Sequence, residues 1–375
     1  MPVTARATRA ARVVALRGTR TSAGHRSRSL AAVAVLGALL TVTACGADTP
    51  TVPTPVTEGP DIAVDKTAPP PPVVPPRWPL TGVAADEVAS RPALAVKIEN
   101  PREVRPQTGL DQADVVWEQV VEGGVTRLVA VYQSQVPAEV GPIRSVRPMD
   151  PAITAPMRGI IAFSGGQPGF VAALRDAGVQ TVSHDAGNAG FYRTRIRPAP
   201  SNVFGNPQAF WDQADANHQA PPPEQFAFAR RAEQATVTLL GTPAGALNIA
   251  MSSYSQPGWT WDAVSGTWLR SESGTAATAA SGARLAASNV VALRVDLVDS
   301  GTRDPAGSVV PETRLVGTGE AVVATGGKVL TVTWTKSGVG DPLVLTTADG
   351  QVVKLAPGAT WVELVPNGTG SVTPG

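Results

Sequence analysis

Residues 114–134 read DVVWEQVVEGGVTRLVAVYQS. Two valine-dense runs flank Gly123-Gly124. Branched side chains fit a pleated surface better than a helix, and paired glycines supply the positive φ angles of a tight turn. The stretch therefore predicts a β-hairpin, and the neighbouring sequence extends the pattern. ALAVKIEN (93–100) reads as a strand, as does MRGIIAFSGG (157–166). PGFVAALRDAG (168–178) reads as a helix opened by Pro168 and closed by Gly178. VQTVSHD (179–185) returns to a strand, and NPQAFWDQADA (206–216) to a helix. The mixture predicts an N-terminal α/β domain over residues 78–220.

NHQAPPPEQ (217–225) marks a boundary. Beyond it, short alternating runs are separated by Ser265-Gly266, Gly326-Gly327, Asp349-Gly350 and Pro357-Gly358. Of these, Asp349-Gly350 is the strongest hairpin signal. Residues 221–366 are thus expected to form a β-rich C-terminal domain, followed by a flexible tail over 367–375, and the fold class is α+β. Five of the eight tryptophans lie in this half (259, 261, 268, 334, 361). In a small β domain they read as core before they read as a sugar platform. Trp259 and Trp261 share one strand face.

The first 44 residues hold seven arginines and no acid, and end in the apolar run LAAVAVLGALLTVTA. That run is shorter than the roughly 20 residues of a membrane span. A basic start, a short apolar run and small closing residues predict a secretory signal over 1–44. Cys45, the protein's sole cysteine, follows immediately and resembles the lipid-attachment cysteine of a bacterial lipobox. Two acyl chains on Cys45 would hold the protein in the bilayer at the outer face of the cytoplasmic membrane. Residues 46–78 carry ten prolines, so 45–77 read as a disordered stem reaching up to ~100 Å.

Removing the signal takes 7 from the 31 basic residues and leaves 24 against 30 acids, a balance of −6. Nothing in that balance favours nucleic acid. With Cys45 lipidated no thiol remains for a disulfide. Only His184 and His218 lie beyond the signal, so a His/Cys zinc site is not expected, and no cofactor is implied.

Glu118 and Glu122 are the first candidates for chemistry. On a strand, alternation puts both on one face with Cα atoms ~13 Å apart. That is too far for the acid/base pair of a glycosidase, whose carboxyls stand ~5–9.5 Å apart. Arg105 lies in the loop NPREVRPQTG, Arg127 just beyond the Gly-Gly turn, and Arg144 and Arg147 in VGPIRSVRPMD. The prolines at 142 and 148 favour a loop there, in which the last two arginines converge. Guanidinium groups suit bidentate grip of carboxylate or phosphate. The alternative role is structural, with Arg127, Arg144 or Arg147 paired to Glu118, Glu122 or Asp114. Ser164 in AFSGG lacks the glycine of a nucleophile elbow, and VGTGEA (316–321) lacks the helix of a dinucleotide fingerprint.

RPALAVKIENPREVRPQTGLDQADVVWEQVVEGGVTRLVAVYQS followed by VGPIRSVRPMD resembles the YerB-like lipoproteins, a family of unknown function with a separate C-terminal module. SNVVALRV, VGTGEAVVATGGK, TWTK and PGATWVELVP resemble that module. The resemblance spans about residues 80–366 and runs through Asn100, Arg105, Glu118, Glu122, Arg127, Arg144 and Arg147. It departs at Glu99, where the family commonly has an aspartate. The resemblance implies an envelope lipoprotein and supplies no reaction. The sequence thus predicts a membrane-anchored protein that binds an anionic or glycan wall component through an Arg/Glu cleft. Two alternatives stand: a wall-glycan or phosphodiester hydrolase using Glu118 and Glu122 with Arg144 and Arg147, and a scaffold for an envelope protein using the β-rich half.

Overall fold

The computed structural model describes residues 74–375. The expected signal, Cys45 and most of the expected stem lie outside the described residues. The valine-dense hairpin is present: β1 (Leu94–Glu99), β2 (Val115–Val120) and β3 (Thr126–Tyr132) are strands, with β3 antiparallel to both others. Gly123 and Gly124 turn the chain at φ +68° and +76°, which side chains with a Cβ rarely adopt. β4 (Ile160–Phe163) runs parallel to β1, and β5 (Gln180–Ser183) parallel to β4. The crossover between the last two is helix α2 (Pro168–Asp176), preceded by α1 (Asp150–Thr154).

The second half supplies β6 (Ala246–Ala250), β7 (Pro257–Asp262), β8 (Thr267–Glu272), β9 (Asn289–Arg303), β10 (Gly317–Thr325), β11 (Lys328–Lys336), β12 (Val344–Thr346), β13 (Thr360–Pro366) and β14 (Ser371–Pro374). The described chain is β-rich. Strands of both halves join one large sheet in the order β12-β11-β10-β9-β13-β2-β3-β1-β4-β5. The junction is β13, parallel to β9 on one side and to β2 on the other. Its register sets Glu118 directly beside Glu363. A second sheet contains β8-β7-β6-β14.

Both faces of the large sheet are covered, so its central strands are apolar almost throughout. Ala95, Trp117, Val129 and Val362 join one core with Ile153, Phe170 and Leu174 of the helical crossover region. Val96, Val116, Leu128 and Trp361 join the other with Leu247, Trp259 and Trp268 of the second sheet. Four of the five C-terminal tryptophans (259, 268, 334, 361) are buried, and Trp261 is half-buried against Trp268.

Three expectations are corrected. The helix expected over 206–216 is the single turn Pro207–Trp211, with Asn206 capping Ala209 N at 3.0 Å. The Asp349-Gly350 turn forms a short hairpin, with Thr347 N donating to Gln351 O and Val353 N to Leu345 O, both at 2.9 Å, around the one bridge of Thr346 with Val352. Lys354–Leu355 turns away to pair with Ala227–Phe228, since burying Leu355 in the core outweighs extending a local hairpin. The tail expected over 367–375 is a turn followed by β14, which pairs with β6 and forms the outer strand of the second sheet.

Candidate functional site

Strand alternation puts Trp268, Arg270 and Glu272 of β8 on one inward face. Arg270 is therefore buried opposite Glu118 of β2 and Glu363 of β13. Its Nη1 donates to Glu363 Oε1 at 2.7 Å and its Nε to Glu272 Oε1 at 2.9 Å, while its Nη2 donates to Glu118 Oε2. The guanidinium carbon lies 4.3 Å from the Trp361 ring centroid and 5.2 Å from that of Trp259. Trp259 Nε1 also donates to Glu363, at 3.1 Å. Glu118 accepts further bonds from Thr126 Oγ1 at 2.6 Å, Asn100 Nδ2 at 3.1 Å and Ser255 Oγ at 3.2 Å. One cation is thus fixed by three carboxylates between two indoles, in a plane that suits its forked donors.

Three acids around one arginine do not ionise alike. Burial opposes the charge on Glu118, but Arg270 and the Thr126 hydroxyl outweigh it and hold its carboxyl below the usual range. Burial and the adjacent Glu118 push Glu363 up to about 8. Burial likewise raises Glu272, against the attraction of Arg270. This is how neighbouring carboxyls divide protons when like charges meet in a dry site.

The sign of the resulting pH dependence follows. Between the ordinary value of 4.5 and about 8, folded Glu363 keeps a proton that the unfolded chain releases, so stability falls as pH rises through that window. Glu363→Gln keeps the shape and removes this contribution. Its urea midpoint is expected to decline less steeply than the wild type's from pH 5 to 8, with Glu272 supplying the remaining slope. Equal slopes in the two proteins would refute the assignment. Glu118 has the opposite sign, its contribution being lost as pH falls below the ordinary value.

Above this centre opens a cleft of about 410 Å3, lined by Asn100, Arg102, Arg105, Gln107, Arg270 and Glu272 among others. Arg105 spans its mouth, with Nη2 3.2 Å from Glu272 Oε2 and Nε donating to Asn100 Oδ1 at 3.2 Å. Gln107 Nε2 donates to the same Asn100 oxygen at 2.8 Å. Arg102 is exposed beside them. Glu118 and Glu363 lie beneath Arg270 and are fully buried.

The other sequence-derived candidates gather on the opposite face of the sheet. Arg127 is in phase with Val129 and Val131, whereas Glu118 is in phase with Val116. Arg144 Nε lies 3.1 Å from Glu99 Oε1. Arg147 donates to Glu122 Oε2 through Nε at 3.0 Å and Nη2 at 2.8 Å. Arg127 donates from Nη1 to the Ser145 carbonyl at 3.0 Å. Close by, Lys97 Nζ and Asp150 Oδ1 are 2.7 Å apart and wholly buried, and Gln119 Nε2 also donates to Asp150 Oδ1 at 2.8 Å.

The structure therefore divides the six predicted residues. Arg105 and Glu118 belong to the cleft side; Glu122, Arg127, Arg144 and Arg147 belong to the other. The expectation that Glu118 and Glu122 share a face is corrected: β2 ends at Val120, and Glu122 lies in the turn that reverses the chain. Of the pairings weighed from sequence, Arg147 with Glu122 is present. Arg144 takes Glu99, Glu118 takes Arg270, and Asp114 accepts Gln133 N at 2.6 Å and Ser134 N at 2.8 Å. Arg270, Glu272 and Glu363 were missed. Their signal was a charge in phase with tryptophan: Trp268 with Arg270, and Trp361 with Glu363.

Comparisons with known proteins agree with this layout. Residues 80–220 match the model described as "Protein of unknown function (DUF3048) N-terminal domain", and 247–362 match its C-terminal domain. The YerB lipoprotein candidate of Bacillus subtilis (strain 168) is 34% identical over 128 residues, 34% of this chain and 39% of that protein. The match thus spans well under half of that relative's length. The crystal structure of YerB from Bacillus subtilis superposes with a TM-score of 0.67 at 23% identity, over 79% of this chain and 99% of that one, a likeness of fold. With both modules matched in order, the chain belongs to the YerB-like family of unknown function.

Proposed function

We propose that this protein is a lipid-anchored, extracytoplasmic binding protein whose cleft takes an anionic or glycan component of the cell wall. The anchor would be Cys45 in TVTACG, in keeping with the lipoprotein name of the Bacillus subtilis relative. The observation that carries the binding reading is the cleft itself. Its floor, Arg270, is immobilised by three carboxylates, its mouth offers Arg102 and Arg105, and the buried Asn100, bonded in turn by Gln107, braces Arg105. Rigid, convergent polar groups in a concave site are what recognition of a hydroxylated or charged ligand needs. Binding is favoured over hydrolysis because Glu118 and Glu122 sit in separate ion pairs on opposite faces, and Glu118 is sealed under Arg270. The scaffold reading loses its motivating patch, since Trp259 is 1% exposed.

The test is co-sedimentation of the full chain with purified wall material, alongside Arg102→Ala/Arg105→Ala. The variant removes two cations from the mouth and leaves Arg270 in place. Retention is expected to fall at least tenfold in the variant, with no wall fragments in the supernatant. Unchanged retention would reject the cleft, and defined released fragments would make the protein an enzyme.

A further inference from the structure

The face of the sheet away from the cleft holds an imbalance of charge. Arg127 is nine-tenths buried and in no ion pair among the described residues. Its Nη1 is used by the Ser145 carbonyl, while its Nε–Nη2 edge has no protein acceptor there. That edge presents two parallel N–H groups, the fork that matches two carboxylate oxygens. Its neighbours cannot neutralise it, because Arg144 is committed to Glu99 and Arg147 to Glu122. Lys97 and Asp150 cancel each other. Three guanidinium groups therefore face two carboxylates, and one positive charge is left over. Glu99 Oε2 is buried with no donor and stands as an acceptor for a hydroxyl.

We propose that Arg127 is the centre of a second site, independent of the cleft, which binds one monocarboxylate. A single negative charge balances the cluster, whereas a dianion would leave an excess buried charge. A planar two-oxygen group fits the fork better than a spherical ion. Burial and the adjacent Arg147 push the Arg127 guanidinium down to about 9, the direction expected of a charge awaiting its counter-ion.

The experiment is thermal unfolding of the full chain at pH 7 and fixed ionic strength, with sodium acetate, sodium glucuronate, sodium chloride or neutral glucose. A ligand of the native state raises the midpoint with its logarithmic concentration. Wild type is expected to gain several degrees between 1 and 100 mM carboxylate, and nothing with chloride or glucose. A rise with both carboxylates supports any small monocarboxylate, and a rise with glucuronate alone supports a sugar acid that also uses Glu99. Arg127→Met removes the stranded charge and is expected to lose the response. Arg127→Lys keeps the charge without the fork and is expected to need at least tenfold more carboxylate, which covers the case in which the methionine variant does not fold. No carboxylate response in wild type, an equal response to chloride, or an undiminished response in the folded variants would overturn the proposal. Loss of wall binding in the cleft variant would leave this response intact, so the two readings fail separately.

Discussion

Replacing Arg270 by methionine is expected to destabilise the protein by about 3–5 kcal/mol at neutral pH, the cost of stripping buried charges of their partner. Methionine keeps an apolar side chain of similar length but removes the guanidinium that lies against Trp259 and Trp361, so the loss combines the ion pairs with these cation–π contacts. What remains is Glu118, Glu272 and Glu363 in a dry space with no central cation. Arg105 reaches only Glu272, at 3.2 Å. Folding then requires protonating Glu118, which Arg270 had kept charged, so the loss is expected to shrink as pH falls towards 4. Urea unfolding at pH 7 and pH 4.5 measures both. A loss under 1 kcal/mol at pH 7 would mean that water reaches the carboxylates and that the centre is not closed. Arg270→Lys is expected to recover only part of the loss, because one ammonium cannot serve three acids in a plane.

The second large effect is expected at Lys97. Lys97→Met leaves Asp150 wholly buried, with the N–H groups of Arg147 at 2.7 Å and Gln119 at 2.8 Å but no cation in contact with it. A loss of about 3–5 kcal/mol is expected, as for any buried pair broken on one side. Lys97→Met/Asp150→Asn removes both charges and keeps an oxygen for the Arg147 N–H. It is expected to be more stable than the single variant, with a coupling of at least about 1 kcal/mol in a double-mutant cycle. Additive losses would show that the pair does not interact as the geometry implies.

These two centres mark where sequence reading works and where it stops. The Gly-Gly hairpin, the strand at 93–100 and the helix opened by Pro168 were legible because local chemistry and tertiary packing favour the same state. The long reach of β13 was not legible. TWVELVP reads as one more strand, and nothing local says that it inserts beside β2, bringing Glu363 against Glu118. Lys97 in ALAVKIEN is not legible as half of a pair, because its partner Asp150 lies 53 residues on, at the start of α1. The arginine loop is a Pro-bounded segment, as its sequence implies, but Arg144 and Arg147 go to separate carboxylates, Glu99 and Glu122. The division of its residues from Arg105 and Glu118 depends on which face each strand position takes, and the turn at Glu122 breaks that phase.

The direct test of the account is a titration of soluble wall fragments against the full chain, followed by tryptophan fluorescence. Trp361 packs against Arg270 and lines the cleft, so it reports occupancy. A saturable change is expected in wild type and in Arg127→Met, and its loss in Arg102→Ala/Arg105→Ala. A change that persists in the cleft variant and vanishes in Arg127→Met would contradict it, and would move wall recognition to the opposite face of the sheet.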